Sequence, residues 1–371
     1  MGNLKGPFRA DHVGSLQRPR SLLNTRELYK AGTLSREELR IRENEAIERV
    51  VRLQEDVGLQ GITDGEYRRE NFHFDFFSQI GGVDFRRRMP EGSEGHSIDP
   101  EKAPFVAYIT DKLSRPAEGV EIENFKLVQG LTDRTPKITI PSPTMTHFRG
   151  GRDAIDRDTY PEIEEFFSDL ARIYREELTD LASAGCRYVQ FDDTNLAYLC
   201  DENMRDGVRK LGEDPDKLPT IYSELINKSI PARPNNMAVC VHMCRGNAQS
   251  QWFASGGYET IAETVFNLTK VDGFFLEYDD DRAGGFEPLR FVPKGGPKIV
   301  LGLLTTKRGE MESRTEILGR IEEASKYVDL EQLCLSPQCG FSSNAIGNSI
   351  SVKDQVAKLR AIVDIAEEVW G

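Results

Sequence analysis

Four residues in three separate stretches of the chain could together bind one metal ion. They are His242 and Cys244, then Glu277, then Cys339, and each stretch closely follows an apolar run typical of a β-strand. An imidazole, two thiolates and a carboxylate are ligands that zinc favours. Because the two thiolates leave the metal electron-rich, a substrate thiol added to it would stay a nucleophilic thiolate. This ligand set therefore favours alkylation of sulfur over hydrolysis.

The spacing within the chain supports a shared metal site. Residues i and i+2 of a strand face the same side, so His242 and Cys244 can reach one point. Two alternatives stay open: a purely structural zinc, and a core histidine if His242 is taken alone. The remaining cysteines are assigned to the packed interior, where free cysteine is common: Cys186, Cys200, Cys240 and Cys334.

Eight short β-like runs alternate with amphipathic helices, and this order predicts an α/β protein with a (β/α)₈ TIM barrel. The predicted strands are 8–13, 61–64, 137–141, 187–191, 237–242, 273–277, 298–304 and 332–336. Capping boxes that begin at Ser35 and Ser313 predict two of the helix starts. The whole chain, residues 1–371, is predicted to be one zinc-binding domain.

The segment between the second and third predicted strands, residues 66–135, is too long for an ordinary βα connection. It is rich in glycine, proline and charge, for example at Met89–Gly92. We expect it to extend over one face of the barrel, with a hairpin formed by residues 104–110 and 124–129.

Composition excludes several classes of function. The net charge of −13 argues against a nucleic-acid partner. No run approaches the ~18 consecutive apolar residues of a membrane span, and no apolar signal segment begins the chain. We therefore expect a cytoplasmic protein without a membrane partner.

Polar residues follow every predicted strand, at the end where barrel enzymes carry their chemistry. On these motifs the chain resembles the catalytic C-terminal barrel of cobalamin-independent methionine synthase, and most of all the single-barrel relatives of that enzyme. The motifs are Asp11-His12-Val13-Gly14-Ser15, Thr63-Asp64-Gly65-Glu66, Val189-Gln190-Phe191-Asp192, Val241-His242-Met243-Cys244 and Ser336-Pro337-Gln338-Cys339-Gly340.

The resemblance implies both a cofactor and a substrate site. It implies Zn²⁺ bound by His242, Cys244, Glu277 and Cys339. It also implies a homocysteine site in which Ser15 lies near the substrate carboxylate, while Glu66 and Asp192 hold the amino group. Paired carboxylates suit an ammonium group, since they would be costly to bury without a partner.

The chain departs from the family pattern on the side of the methyl donor. Lys307 stands where the family has a histidine that assists transfer from the folate, and a lysine is a poor acid at neutral pH. His12 and His147 are possible substitutes for that acid. Phe148 replaces a tryptophan that stacks on the folate, and Tyr198 stands near the position of a family acid.

The function implied is a zinc-dependent methyltransferase that makes methionine from homocysteine, with 5-methyltetrahydrofolate or a related donor. Three alternatives stay open. One is alkyl transfer to another thiol, as in the epoxide–coenzyme M transferases. Another is a metal-free lyase like uroporphyrinogen decarboxylase, for which the basic run Arg86–Arg88 is the only hint. The third is a binding or regulatory protein.

Overall fold

A ring of parallel strands forms the centre of the molecule. In this computed structural model the described residues are 5–88, 105–230, 233–247 and 249–371. The strands are β1 (Gly61–Ile62), β2 (Gly81–Arg87), β3 (Phe105–Ser114), β4 (Thr135–Pro136), β5 (Ile138–Pro141), β6 (Tyr188–Asp193), β7 (Ala238–Met243), β8 (Gly273–Glu277), β9 (Lys298–Leu304) and β10 (Leu333–Pro337). Strands β5 to β10 pair in chain order, and every pair is parallel.

The ring is completed by the two-residue strands β1 and β4 and by the segment around Ala10. Strand β1 pairs in parallel with β4, which leads directly into β5. On the other side Ala10 forms a parallel bridge with Leu335 of β10, and the Nε2 atom of His12 lies 3.2 Å from the carbonyl oxygen of Gly61. The chain is thus an α/β TIM barrel, as the strand–helix alternation predicts.

The first predicted strand, 8–13, is reduced to that single bridge. The carboxylate of Asp11 accepts hydrogen bonds from the main-chain N–H groups of Phe8, at 3.0 Å, and His12, at 2.8 Å. These two donors are therefore not available for a regular ladder. The sixth and seventh predicted strands match β8 and β9 at both ends.

Helices surround the barrel. They are α1 (Arg20–Lys30), α2 (Arg36–Asp56), α3 (Phe74–Phe77), α4 (Ile122–Leu131), α5 (Ile163–Ser183), α6 (Asn195–Tyr198), α7 (Glu202–Lys210), α8 (Leu218–Ser229), α9 (Glu259–Leu268), α10 (Arg314–Ala324) and α11 (Val352–Trp370). The capping box at Ser35 is confirmed, because Ser35 Oγ accepts from Glu38 N at 3.2 Å while Ser35 N donates to Glu38 Oε2 at 2.9 Å. The box at Ser313 is wrong, since within the described chain that side chain forms no capping hydrogen bond. None of the described helices combines the length and apolar character that a membrane crossing requires.

The hairpin of the extension differs from the prediction. Strand β3 pairs antiparallel with β2, which precedes it, and the register joins Val83 to Ile109. Residues 122–131 form helix α4 instead of a strand, with Phe125 and Val128 buried. Gly82 has φ of 86°, and a Cβ atom there would lie 2.5 Å from the oxygen of Asp111, so the bend at this point requires glycine. Met89–Gly92 and residue 104 lie outside the described residues.

The barrel interior is filled below the strand ends. Its cluster of packed side chains includes the sulfurs of Cys240 and Cys334, as expected for structural cysteines. Lys137 is also buried there, with Nζ 3.2 Å from Asp11 Oδ1 and 4.3 Å from the ring centroid of Phe275. This buried ion pair is part of the packed interior, and barrel enzymes carry their chemistry at the C-terminal ends of the strands.

Candidate active site

A cavity of about 290 Å³ lies at the C-terminal ends of the strands. The strand ends contribute a polar group of lining residues: Ser15, Glu66, Asp192, His242, Cys244 and Cys339. The segments that connect the barrel strands contribute a second, mainly aromatic group, here called the aromatic wall: Phe72, His73, Phe74, Arg87, Phe105, Arg149, Tyr198 and Phe253. One wall of the cavity can therefore bind a metal and a charged amino acid, and the other can contact a planar or apolar molecule.

Three of the four predicted metal ligands lie together. The ligand atoms of His242, Cys244 and Cys339 are all within 4.8 Å of one another, and all three residues are buried. The two sulfurs are 3.2 Å apart. Their hydrogen bond raises the pKa of the Cys244 thiol, and together with His242 it lowers the pKa of Cys339 well below the ordinary value. One thiolate is thus already favoured in this cluster.

The fourth predicted ligand, Glu277, lies at the edge of this group as the last residue of β8. Its Oε1 atom is 3.6 Å from the sulfur of Cys244 and accepts a hydrogen bond of 3.4 Å from Gln338 Nε2. Burial raises the pKa of the Glu277 carboxyl, against the effect of the nearby Lys307 ammonium. The Glu277 carboxylate is thus close to Cys244, but it lies outside the compact group formed by His242, Cys244 and Cys339.

The donor set fits a zinc ion. Among the described residues, His242 Nε2 and Glu277 Oε2 are buried polar atoms without a hydrogen-bond partner. The other ring nitrogen of His242 lies 3.2 Å from Asp192 Oδ1. A carboxylate at that nitrogen is the usual partner of a metal-binding histidine, because it fixes the ring and leaves Nε2 free for the metal. Two thiols and this oriented imidazole complete a set typical of zinc.

The three residues predicted to bind homocysteine, Ser15, Glu66 and Asp192, line the same cavity. Glu66 Oε1 accepts a hydrogen bond of 2.9 Å from Thr139 Oγ1 and lies 3.6 Å from Arg69 Nη1. Burial raises the pKa of Glu66 to about 7, with Arg69 opposing the shift and Asp192 adding to it. The Oγ atom of Ser15 accepts from the main-chain N–H of Ser342 at 3.3 Å.

The main chain at Glu66 is strained. Its φ is 59°, a left-handed conformation that costs a non-glycine residue about 1–2 kcal/mol. The turn is held because Asp64 Oδ1 accepts from Glu66 N at 2.8 Å. Strain of this kind is concentrated at functional sites, where the surroundings fix a side chain in one direction.

His12 does not line the cavity. It lies deeper in the barrel, and burial lowers its pKa to about 4, so the ring is neutral near pH 7. The substitute His147 is also buried outside the lining, with Nδ1 2.9 Å from the hydroxyl oxygen of Tyr222. Neither imidazole lies in the cavity lining.

Lys307 and Phe148 are likewise absent from the cavity lining of the described chain. The Nζ atom of Lys307 is 3.5 Å from Asp279 Oδ2. Burial acts to lower the pKa of Lys307, but Glu277 and Asp279 raise it above the ordinary value. Phe148 packs against Tyr198, with ring centroids 5.9 Å apart, and it is Tyr198 that lines the cavity.

The aromatic wall was not recognised in the sequence. His73 lies between Phe72 and Phe74, with ring centroids 4.6 Å and 4.2 Å away. Burial, reinforced by Arg149, lowers the pKa of His73 well below its ordinary value. The guanidinium carbon of Arg87 lies 4.2 Å from the centroid of the Phe105 ring. The cluster of aromatic residues at 72–77 was the signal available in the sequence.

Comparison with known proteins agrees with this architecture. Residues 8–368 match the model of the cobalamin-independent synthase catalytic domain. The chain is similar to YxjH, an uncharacterized protein of Bacillus subtilis, with 45% identity over 370 residues that cover 99% of this chain and 96% of YxjH. It is 27% identical to a methionine synthase of Pyrococcus horikoshii over 332 residues, which cover 89% of this chain and 85% of that enzyme.

A solved structure shows the same fold. The putative vitamin-B12-independent methionine synthase of Listeria monocytogenes superimposes with a TM-score of 0.78 at 38% identity, and each chain is covered completely. The resemblance drawn from the motifs is therefore confirmed, and the chain belongs to the family of cobalamin-independent methionine synthase catalytic domains.

Proposed function

We propose that this chain is a zinc-dependent methyltransferase that transfers a methyl group to the thiol of homocysteine and forms methionine. The observation that supports this most strongly is the shared cavity. The buried His242–Cys244–Cys339 cluster and the residues Glu66 and Asp192 line one space. A thiol and an ammonium group of one small molecule can therefore be bound together.

In this proposal each side chain has a defined task. His242, Cys244 and Cys339 hold the zinc with Glu277 as fourth ligand, and the bound metal would keep the substrate sulfur deprotonated. Glu66 and Asp192 accept hydrogen bonds from the substrate ammonium. Because Asp192 also contacts His242, substrate binding and metal orientation share one carboxylate.

Ser15 and the loops complete the cavity. The hydroxyl of Ser15 faces the same space and is suited to hydrogen-bond the substrate carboxylate. On the opposite side, the rings of Phe72, Phe74 and Phe105 offer a stacking surface for the planar part of a folate-type donor such as 5-methyltetrahydrofolate. In this proposal Phe148 acts indirectly, by supporting Tyr198.

Charge distinguishes this proposal from the alternatives. A thiol without an amino group, such as coenzyme M, would leave Glu66 Oε2 unpaired, since this buried oxygen has no hydrogen-bond partner among the described residues. A lyase for an acidic porphyrin is suggested by the run Arg86–Arg88, but Arg86 pairs with Asp84 at 2.9 Å and is not in the cavity lining. Such a lyase would also leave the three-residue metal cluster without a role. We further propose that residues 1–371 form a single domain around this site.

Metal analysis combined with homocysteine titration tests the proposal. Purified protein should contain about one zinc per chain and release a proton when homocysteine binds, and methionine should form when 5-methyltetrahydrofolate is added. Cys339→Ala should lose the zinc. The control Cys334→Ala, which changes a buried cysteine of the barrel interior, should retain it. Wild-type protein that takes up no zinc on reconstitution would refute the proposal.

A further inference from the structure

A fully buried arginine lies directly beside the metal cluster. Arg245 follows Cys244 in the chain, and its side chain has no exposed surface. The Nη1 atom donates to the main-chain oxygen of Glu277 at 2.9 Å and to the hydroxyl oxygen of Tyr258 at 2.9 Å. Nε and Nη2 donate to the oxygen of Gly256 at 3.3 Å and 2.8 Å. Arg245 therefore joins the loop after β7 to the end of β8.

Tyr258 completes the connection. Its hydroxyl oxygen accepts a hydrogen bond of 3.0 Å from the main-chain N–H of Glu277, and its ring centroid lies 4.1 Å from the guanidinium carbon of Arg245. Both polar groups of the Glu277 main chain are thus held by these two side chains. The carboxylate of Glu277, by contrast, keeps one oxygen without a partner within the described structure.

The charge of Arg245 has no acidic partner. No carboxylate of the described chain forms an ion pair with its guanidinium group, and the acceptors are two main-chain oxygens and one hydroxyl. A buried cation without a counter-ion is costly, and an apolar side chain of similar volume would fill the space. The predicted ligand set lies close by, since Arg245 follows Cys244 in the chain and donates to the main chain of Glu277. Two thiolates and a carboxylate carry three negative charges against the two positive charges of zinc.

We propose that Arg245 and Tyr258 are positioning residues of the metal centre. They fix the main chain of Glu277 relative to the residue after Cys244, so that the ligands from two adjacent strands keep one spacing. The positive charge of Arg245 offsets the negative charge of the complete ligand set. This inference rests on the proposed zinc site and assigns to it two residues that do not touch the metal.

The test measures metal binding in full-length Tyr258→Phe, Arg245→Lys and Arg245→Met. Zinc affinity is determined by competition with a chromophoric chelator, and coordination is followed by the visible spectrum of the cobalt-substituted protein. We expect Tyr258→Phe and Arg245→Met to weaken zinc binding by about 10- to 100-fold and to change the cobalt bands. Arg245→Lys, which keeps the charge, should lose less affinity than Arg245→Met.

A matched control separates this role from a structural one. Tyr222 is another buried tyrosine whose hydroxyl contacts a neighbour, His147, away from the metal cluster. Tyr222→Phe should leave zinc affinity and the cobalt spectrum unchanged. If Tyr258→Phe lowers only the melting temperature, as the control would, the inference is refuted. Because Tyr258→Phe keeps the ring, it decides the question even where Arg245→Met fails to fold.

The result also separates this inference from the proposed function. Wild-type protein that binds neither zinc nor cobalt overturns both proposals. Wild-type protein that binds zinc and homocysteine, together with variants of unchanged zinc affinity, overturns only the positioning role. Weakened metal binding in Tyr258→Phe with an unchanged control supports it.

Discussion

Replacement of Glu66 by glutamine removes one negative charge from the cavity and almost no volume. In the proposed complex Glu66 accepts a hydrogen bond from the homocysteine ammonium, and a hydrogen bond to a charged group contributes about 1.5–3 kcal/mol. At about 1.4 kcal/mol for each factor of ten, the dissociation constant of homocysteine should rise by roughly 10- to 150-fold. Zinc content should not change, since Glu66 is not a ligand in this proposal.

The pH dependence gives the same prediction a second signature. Burial raises the pKa of Glu66 to about 7, so the carboxyl is mostly neutral at pH 6 and mostly ionised at pH 8. Because only the ionised form binds the ammonium well, homocysteine affinity should gain up to about 10-fold from this group between those pH values. The gain from thiol deprotonation occurs in wild type and Glu66→Gln alike. The difference between the two proteins therefore isolates Glu66.

The same carboxyl also lowers the stability of the fold. Its pKa in the folded protein lies above the unfolded value of 4.5, so the folded protein loses stability as the pH rises from 4.5 through 7. The integrated loss is up to about 3 kcal/mol. Glu66→Gln should therefore be more stable than wild type at pH 8 in urea unfolding, while it binds homocysteine more weakly.

Calorimetric titration of homocysteine into zinc-loaded protein at pH 6, 7 and 8 provides the assay. Glu121→Gln is the matched control, since Glu121 is a buried carboxyl 3.2 Å from the same Arg69 but lies outside the cavity lining. The control should retain homocysteine affinity. Equal homocysteine affinities of Glu66→Gln and wild type at pH 8 would refute the reasoning.

Three further predictions use other parts of the chain. Because burial lowers the pKa of His12 to about 4, the fold loses stability as the pH falls below 6.5. Acidification from pH 7 to 5 should lower the free energy of unfolding of wild type by about 2 kcal/mol more than that of His12→Gln. Equal losses of the two proteins in urea unfolding would contradict this. Lys307→Gln should weaken zinc binding in chelator competition, since Lys307 lowers the pKa of Glu277 and Cys339 and so favours their ionised, metal-binding forms. Lower turnover with intact zinc affinity would instead support proton donation by Lys307. Ser35→Ala should lower the free energy of unfolding by about 1 kcal/mol through loss of the capping box, and an unchanged urea midpoint would contradict it.

The metal cluster could be predicted because its chemistry and its position agree. Parallel strands of a barrel end at one rim, so His242, Cys244 and Cys339 meet although up to 97 residues separate them. The same rule placed Glu66 and Asp192 at the cavity. Few residue types bind zinc, and their order along the chain is visible without knowledge of packing.

The extension could not be predicted in the same way. Its strands pair antiparallel, and nothing in the local pattern says whether β3 pairs with the segment before it or after it. Within residues 122–131, the apolar–charged alternation that suits a strand is limited to Phe125-Lys126-Leu127, and burial of Phe125 and Val128 at helical spacing decides the outcome. Tertiary packing overrides a weak local preference here. The aromatic wall depends on this packing and was missed with it.

The catalytic roles of Lys307 and His12 stay predictions, because proton transfer depends on exposure and charge as well as on position in the chain. The family pattern gives the place of Lys307 in the chain, whereas its pKa depends on Asp279 and Glu277, which lie on a neighbouring strand and its loop. Burial acts to lower the pKa of both groups, but only His12 lacks neighbouring charges strong enough to reverse the effect, so its ring stays neutral near pH 7. Neither environment is visible in a sequence motif.

The charges around the predicted metal ligands offer a reason for a lysine at position 307, where the resemblance implies a histidine. A group that balances the negative charge of two thiolates and Glu277 must stay protonated throughout the reaction, and the raised pKa of Lys307 ensures this. A group that gives a proton to a leaving amine must do the opposite and change its charge near neutral pH. One side chain cannot meet both demands. In the proposed reaction we therefore assign Lys307 and Arg245 to the charge balance of the metal site.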